Sequence, residues 1–269
     1  MGGLSLGFAL ALESATISGY DKDRFAVRTY NLNLSRYGCR AHLLDLVHND
    51  PREGFADIVI AGPPCQPFSQ AVRPDRKGEK HPLFPTWPRT FEIILSLRPK
   101  AFVVENVKGL LTRNMKRYLD QALRSVAREY RIYIRVLNAA EHGVPQRRER
   151  LFIVGIRKDV RGSFSFPQKT HGKEELVTLE GKLHKWVTMR EAIGDLLVIP
   201  PIVSSRRNNI CAYPDHETRP LTDRHITRIR NERMDTDRHF ARMEFPDNID
   251  VPSRTISLHT VEGTKRESI

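Results

Sequence analysis

Three short apolar runs constrain this chain most: ADIVIA at residues 56–61, AFVV at 101–104 and LFIVG at 151–155. Each is too short for a typical helix and apolar but for Asp57, the pattern of a buried strand. Stretches with helical spacing lie among them, at residues 2–14, 22–34 (Phe25, Val27, Tyr30, Leu34), 84–97 and 115–130. Further strands are expected at 15–19, 40–44 and 132–137. Strands alternating with helices predict an α/β fold, a doubly wound and mostly parallel sheet with helices on both faces. Ligands of such sheets sit beyond the carboxyl ends of the strands, so the chemistry is expected just after them.

The alternation stops near residue 158, where prolines, glycines and basic residues interrupt it (FPQKTHGKEE, VIPPIVSSRRNN). Two domains are therefore expected: residues 1–157, a catalytic and cofactor-binding domain, and 158–269, a smaller irregular one. The net charge of +12 is uneven. Residues 107–157 hold 12 Lys and Arg against 4 Asp and Glu, whereas 158–269 hold 19 against 17. Basic surface of this kind attracts a polyanion by counterion release, although charge alone fits a generically basic protein equally well. No apolar run approaches the ~20 residues of a membrane-spanning helix. The three cysteines, Cys39, Cys65 and Cys211, lie far apart without paired spacing. That argues against a zinc site or a disulfide framework, and for a reducing compartment.

The most specific motif is Gly62-Pro63-Pro64-Cys65-Gln66-Pro67-Phe68-Ser69, directly after the first apolar run. It presents a cysteine at a strand's carboxyl end on a proline-stiffened turn, where a thiolate can act as nucleophile. A lone cysteine is ordinarily a buried structural one; the flanking prolines and the loop that follows weaken that alternative. Residues 70–82 carry Arg73, Arg76, Lys77 and Lys80 with no apolar stripe, a lid over nucleic acid or an ordinary solvated loop. Glu105-Asn106-Val107 follows the second apolar run and supplies an acid at a strand end. Gln146-Arg147-Arg148-Glu149-Arg150 leads into the third run; alone it reads as a solvated charged face.

Together, in this order, these motifs resemble the DNA (cytosine-5)-methyltransferase family over nearly the whole chain. GPPCQPFS is similar to its catalytic-loop motif, ENV to its acid motif, and NAAEHGVPQRRERLFIVG to its arginine motif. GGLSLGF at the start is similar to the second half of the cofactor motif, and WVTMREAIGDL and PSRTIS to segments around the target-recognition region. The resemblance implies a Rossmann-like S-adenosylmethionine-dependent methyltransferase fold with a target-recognition domain in 158–269. It also implies that Cys65 attacks carbon 6 of a flipped-out cytosine, Glu105 engages ring nitrogen 3, and Arg150 and Arg148 hold the base carbonyl and Glu105. Gly2, Gly3, Asp21, Asp45 and Pro63 would line the S-adenosylmethionine site, Asp21 on the ribose and Asp45 on the adenine. No metal is implied. The partner would be duplex DNA, in a prokaryotic cytoplasmic, restriction–modification setting.

Against the family pattern, the strand before the first glycines and two motifs after PSRTIS are not in the chain. The expectation is therefore a fragment, one half of a split enzyme, or a misplaced start with a truncated end, inactive alone and completed by a subunit or fragment that carries the missing motifs. The rival activities are tRNA cytosine-5 methylation, which shares all three motifs, and DNA binding without catalysis. A thiol hydrolase would need a histidine base. His42, His48, His81 and His142 are available, without a convincing partner pattern.

Overall fold

The computed structural model describes residues 2–12, 14–69, 72–178, 181–195, 202–203, 217–218 and 250–254. Cys211, most of the expected recognition region and the last residues of the 252–257 segment lie outside them. The chain divides into two compact units, residues 1–137 with 149–167, and 138–148 with 168–269. The boundary expected at 157/158 is thus displaced in two ways. Residues 158–167 stay with the first unit because Lys158 N–H donates to the Glu129 carbonyl, and Arg131 donates to the carbonyls of Lys158, Val160 and Gly162. Phe164 also packs edge-on to Tyr133. Residues 138–148 leave it as an excursion between two strands.

In chain order the first unit runs α1 (Gly3–Ala11), β1 (Ile17–Asp21), α2 (Arg24–Leu34), β2 (Cys39–Leu43), β3 (Ile58–Ala61), α3 (Thr86–Leu97), β4 (Ala101–Asn106), α4 (Lys116–Val126) and β5 (Tyr130–Asn138). After β6 (Gln146–Arg147), which lies in the excursion, β7 (Glu149–Arg157) returns to it. The helices and strands expected from periodicity are present, with ends shifted by a few residues. β1 and β2 form a parallel pair, and a second sheet has the order β3-β4-β7-β5. β3 and β4 are parallel, as the alternation predicts. β7 departs from it by running antiparallel to β4, with Glu105 opposite Phe152 and Asn106 opposite Leu151.

α2 starts where Asp23 accepts from Phe25 N–H and Ala26 N–H, an N-cap that satisfies two free helix donors. Its inward residues Tyr30 and Leu34 join Cys39 and Ala41 in a small core. The larger core joins the β3–β5 sheet to α3 and α4 through Phe68, Trp87, Phe91, Phe102, Tyr118 and Tyr130. Its rings meet mostly edge to face: Phe68–Trp87 at 5.2 Å, Phe84–Tyr118 at 4.9 Å, Trp87–Phe91 and Phe102–Tyr130 at 5.1 Å. Such pairs add about 0.5–1.5 kcal/mol each beyond area burial. Phe68 lies three residues after Cys65, so this cluster fixes the start of the cysteine's loop.

The second unit contains β6, β8 (His171–Gly172), β9 (Leu176–Thr178), β10 (Gly181–Lys185) and α5 (Met189–Ile193). It also holds the two-residue strands β11 (Ile202–Val203), β12 (Glu217–Thr218) and β13 (Ser253–Arg254). β10 pairs with β8 and β9, β11 with β12, and β13 with β6. α5 opens on a full capping box, Thr188 with Glu191. Arg190 binds Asp250 at 2.6 Å. Among the described residues, no helix is long and apolar enough to cross a membrane.

Candidate active site

Two parallel strands of the first unit deliver chemistry at their carboxyl ends, and the antiparallel β7 delivers it at its amino end. β3 ends at Ala61, and Pro63 and Pro64 fix the turn that follows by locking φ. Cys65 comes next, a free and half-buried thiol just before a single helical turn, Gln66–Phe68, whose last N–H donates to the Cys65 carbonyl at 3.0 Å. β4 runs beside β3 and carries Glu105 to the same edge. A Cβ placed on Gly62 would stand 3.7 Å from Glu105 Oε2, so the cysteine's turn passes directly beside that carboxylate.

Glu105 pairs with Arg150, Nε to Oε1 at 2.8 Å, with side chains only 25% and 16% exposed. The pairing follows from strand direction. Glu105 faces Phe152 across an antiparallel ladder, and Arg150, two residues before Phe152, is its same-face diagonal neighbour. Lys108 and Glu149 form a second ion pair nearby. Arg148 is placed differently. It belongs to the second unit, where its N–H donates to Asn138 Oδ1 at 3.1 Å and its carbonyl accepts from Ala139.

Asn106 was expected only as part of a motif, yet it organises the turn. It is 1% exposed, donates from Nδ2 to the Pro63 carbonyl at 3.1 Å, and accepts from Val107 N–H at 2.8 Å. Gly109 is equally constrained, since a Cβ there would lie 2.3 Å from the Phe68 carbonyl oxygen. The sequence signal for Asn106 is a lone amide ending a buried strand, which must find partners.

The expected open loop after Ser69 is partly built. It contains helical turns at Pro74–Arg76 and Gly78–Lys80. Gly78 is buried at φ +59° against the Tyr118 hydroxyl, which Arg117 Nη2 also contacts at 2.5 Å. No hydrogen bond joins Cys65 to a histidine among the described residues, and His81 Nδ1 instead accepts from Leu83 N–H.

The expected cofactor residues occupy the other strand ends. Gly2 precedes α1 at φ +89°, where a Cβ would strike Leu34 and Tyr30; over Gly3 the space is open. Asp21 ends β1 and Asp45 follows β2, the neighbouring strand. One oxygen of each binds its own turn, Asp21 Oδ1 to Asp23 N–H and Asp45 Oδ1 to Val47 N–H, both at 2.9 Å. Among the described residues the second oxygen of each carries no hydrogen bond, and it could accept from donors such as ribose hydroxyls or an adenine amino group. The open space at Gly3 and two acceptors side by side fit an adenosyl ligand. Among the described residues, no cluster of His, Cys, Asp and Glu could hold a metal.

A Rossmann-like α/β fold, with a cysteine and an acid at the carboxyl ends of parallel strands and an arginine at the amino end of an antiparallel one, places the chain in the methyltransferase fold class. The chain belongs to the C-5 cytosine-specific DNA methylase family, whose model matches residues 1–248. It is 36% identical over 197 residues to the Type II methyltransferase M.NgoFVII of Neisseria gonorrhoeae, covering 72% of this chain and 50% of that protein. To the Type II methyltransferase M.AquIA of a Picosynechococcus strain it is 33% identical, covering 72% of this chain and 85% of that protein. A prophage-encoded Escherichia coli protein, described as a DNA modification methyltransferase, shares the fold at a TM-score of 0.57. It is 24% identical over 75% of this chain and 54% of that one. The chain spans about half the length of M.NgoFVII and of M.BsuRI from Bacillus subtilis.

Proposed function

We propose that this chain carries the catalytic machinery for methylating carbon 5 of a cytosine in duplex DNA, in a restriction–modification setting. The observation that supports this most directly is the Glu105–Arg150 pair beside the turn that presents Cys65. S-adenosylmethionine, when bound, supplies an electrophilic methyl group. Gly3, Asp21 and Asp45 would hold it, with Pro63 on the same edge. A stacked base hides its ring carbons, so the target cytosine must leave the duplex. Cys65, as thiolate, adds to carbon 6 and turns carbon 5 into a nucleophile. Glu105 holds ring nitrogen 3 and draws off charge as the adduct forms. Arg150 fixes the Glu105 carboxylate by a charge-assisted bond and can also reach toward the base carbonyl. After methyl transfer, loss of the carbon-5 proton re-forms the ring double bond and releases Cys65. Phosphate contacts are assigned to the basic loop at 72–80, and base reading to the second unit.

The test is a trapping experiment. Duplex DNA containing 5-fluorocytosine cannot lose a proton from carbon 5, so it should retain Cys65 covalently when S-adenosylmethionine is present. Cys65→Ser should abolish the adduct, whereas Cys39→Ser should leave it intact. A parallel arm with tRNA separates the two nucleic acids: an adduct on tRNA alone would overturn the DNA assignment. An adduct that survives Cys65→Ser would overturn the mechanism.

A further inference from the structure

Arg89 has no place in the machinery above, yet it makes three polar contacts to residues about forty positions away. It lies in the first turn of α3 with its side chain 22% exposed, against residues 44–50, which follow β2. Nε donates to the Leu46 carbonyl at 2.9 Å. Nη2 donates to the Asn49 carbonyl at 3.2 Å and to Asp50 Oδ1 at 2.6 Å. Nη1 reaches Glu92 at 3.2 Å on its own helix. The two acids are 76% and 62% exposed, so these ion pairs are screened and contribute little. The two carbonyls are the informative contacts. They lie three residues apart, so one rigid guanidinium fork closes the whole turn from outside.

That turn carries Asp45. From inside, the Asp45 carboxylate accepts from Val47 N–H, and its carbonyl accepts from Asn49 N–H and Asn49 Nδ2. These are short-range bonds in a segment that runs from half-buried to exposed, and alone they leave the turn free to open. Arg89 ties it to α3, whose Trp87 packs on Phe68 behind Cys65. One helical turn therefore braces both the nucleophile's loop and the segment bearing Asp45.

We infer that Arg89 is a positioning residue for the cofactor, holding the 45–50 turn in its binding conformation; this rests on the reading of Asp45 given above. Lysine keeps the charge but cannot serve both carbonyls, so Arg89→Lys should lower the fraction of the turn that is competent to bind. If that fraction falls to one tenth, apparent affinity falls about tenfold.

The experiment uses the 269-residue chain with S-adenosylhomocysteine as probe, combining calorimetric titration with amide hydrogen exchange at residues 46–50. Arg89→Lys should bind about tenfold more weakly and lose exchange protection in that turn without ligand. Glu92→Gln, which neutralises only the partner within the helix, should change neither by more than about twofold. Arg89→Gln serves as a second variant if the lysine form does not fold. Unchanged affinity in a folded Arg89 variant, even with a lower melting temperature, would reduce the residue to a structural role and overturn the inference. So would unchanged exchange at 46–50. Failure of the unmodified chain to bind the probe would instead remove the cofactor reading, and this inference with it.

Discussion

Replacing Asn106 tests how the turn before Cys65 is held. The side chain is 1% exposed and makes two bonds, to the Pro63 carbonyl at 3.1 Å and from Val107 N–H at 2.8 Å. Asn106→Ala leaves a carbonyl without its donor and an N–H without its acceptor. Each fully buried orphan costs about 1–3 kcal/mol. Pro63 and Val107 are only half-buried, so water can recover part of that, and the expected loss is about 2–3 kcal/mol. Asn106→Asp has the same shape but replaces the donor with a carboxylate facing the Pro63 oxygen. An unpaired buried charge should cost more, about 3–5 kcal/mol near neutral pH. The introduced acid would have its folded pKa raised by burial and by that oxygen. Its protonated form can donate to Pro63, so the deficit should be smallest at low pH and grow as pH rises through the folded value. Urea unfolding at pH 5 and pH 8 measures both variants, and peptide-resolved alkylation of Cys65 reports the turn. Equal stabilities for Asn106→Asp and Asn106→Ala at pH 8, or a deficit for Asn106→Asp that shrinks with rising pH, would refute the reasoning.

Two further outcomes are expected. Tyr118→Phe removes the hydroxyl against which Gly78 is seated, a contact worth about 1 kcal/mol. Tryptic cleavage after Arg76, Lys77 and Lys80 should then accelerate about fivefold, and an unchanged rate would mean that Tyr118 does not anchor the loop. Tyr130 is 1% exposed and donates to the Pro99 carbonyl at 3.0 Å; burial, aided by the neighbouring Glu129 charge, pushes its phenol above the ordinary value. Its neutral form is favoured in the fold, so its contribution is complete below a pH of about 10 and lost as pH rises through the folded value. Tyr130→Phe should cost about 1 kcal/mol at neutral pH, and its gap to the unmodified chain should narrow above pH ~10 in urea titrations.

Much of this protein is legible in the sequence because the relevant information is local. Period and length mark ADIVIA and AFVV as strands, although no residue of the first is fully buried, and prolines after it force a turn, so Cys65 at a carboxyl end follows from residues within ten positions of it. The placement of Asp21 and Asp45 after β1 and β2 is local in the same sense. Strand direction is not. LFIVG reads identically parallel or antiparallel, and only the antiparallel ladder with β4 makes Arg150, rather than Arg148, the diagonal neighbour of Glu105. The excursion at 138–148 is equally invisible, because Asn138 closes it by binding the N–H of Arg148 ten residues on. Asn106 and Arg89 show the same limit. A buried amide and a half-buried guanidinium have to find partners, but which carbonyls they meet, 43 residues away for both Pro63 and Leu46, is decided when distant segments pack. Hydrophobic periodicity states which face of each element is covered; only the assembled fold determines which polar groups the covered faces bring together.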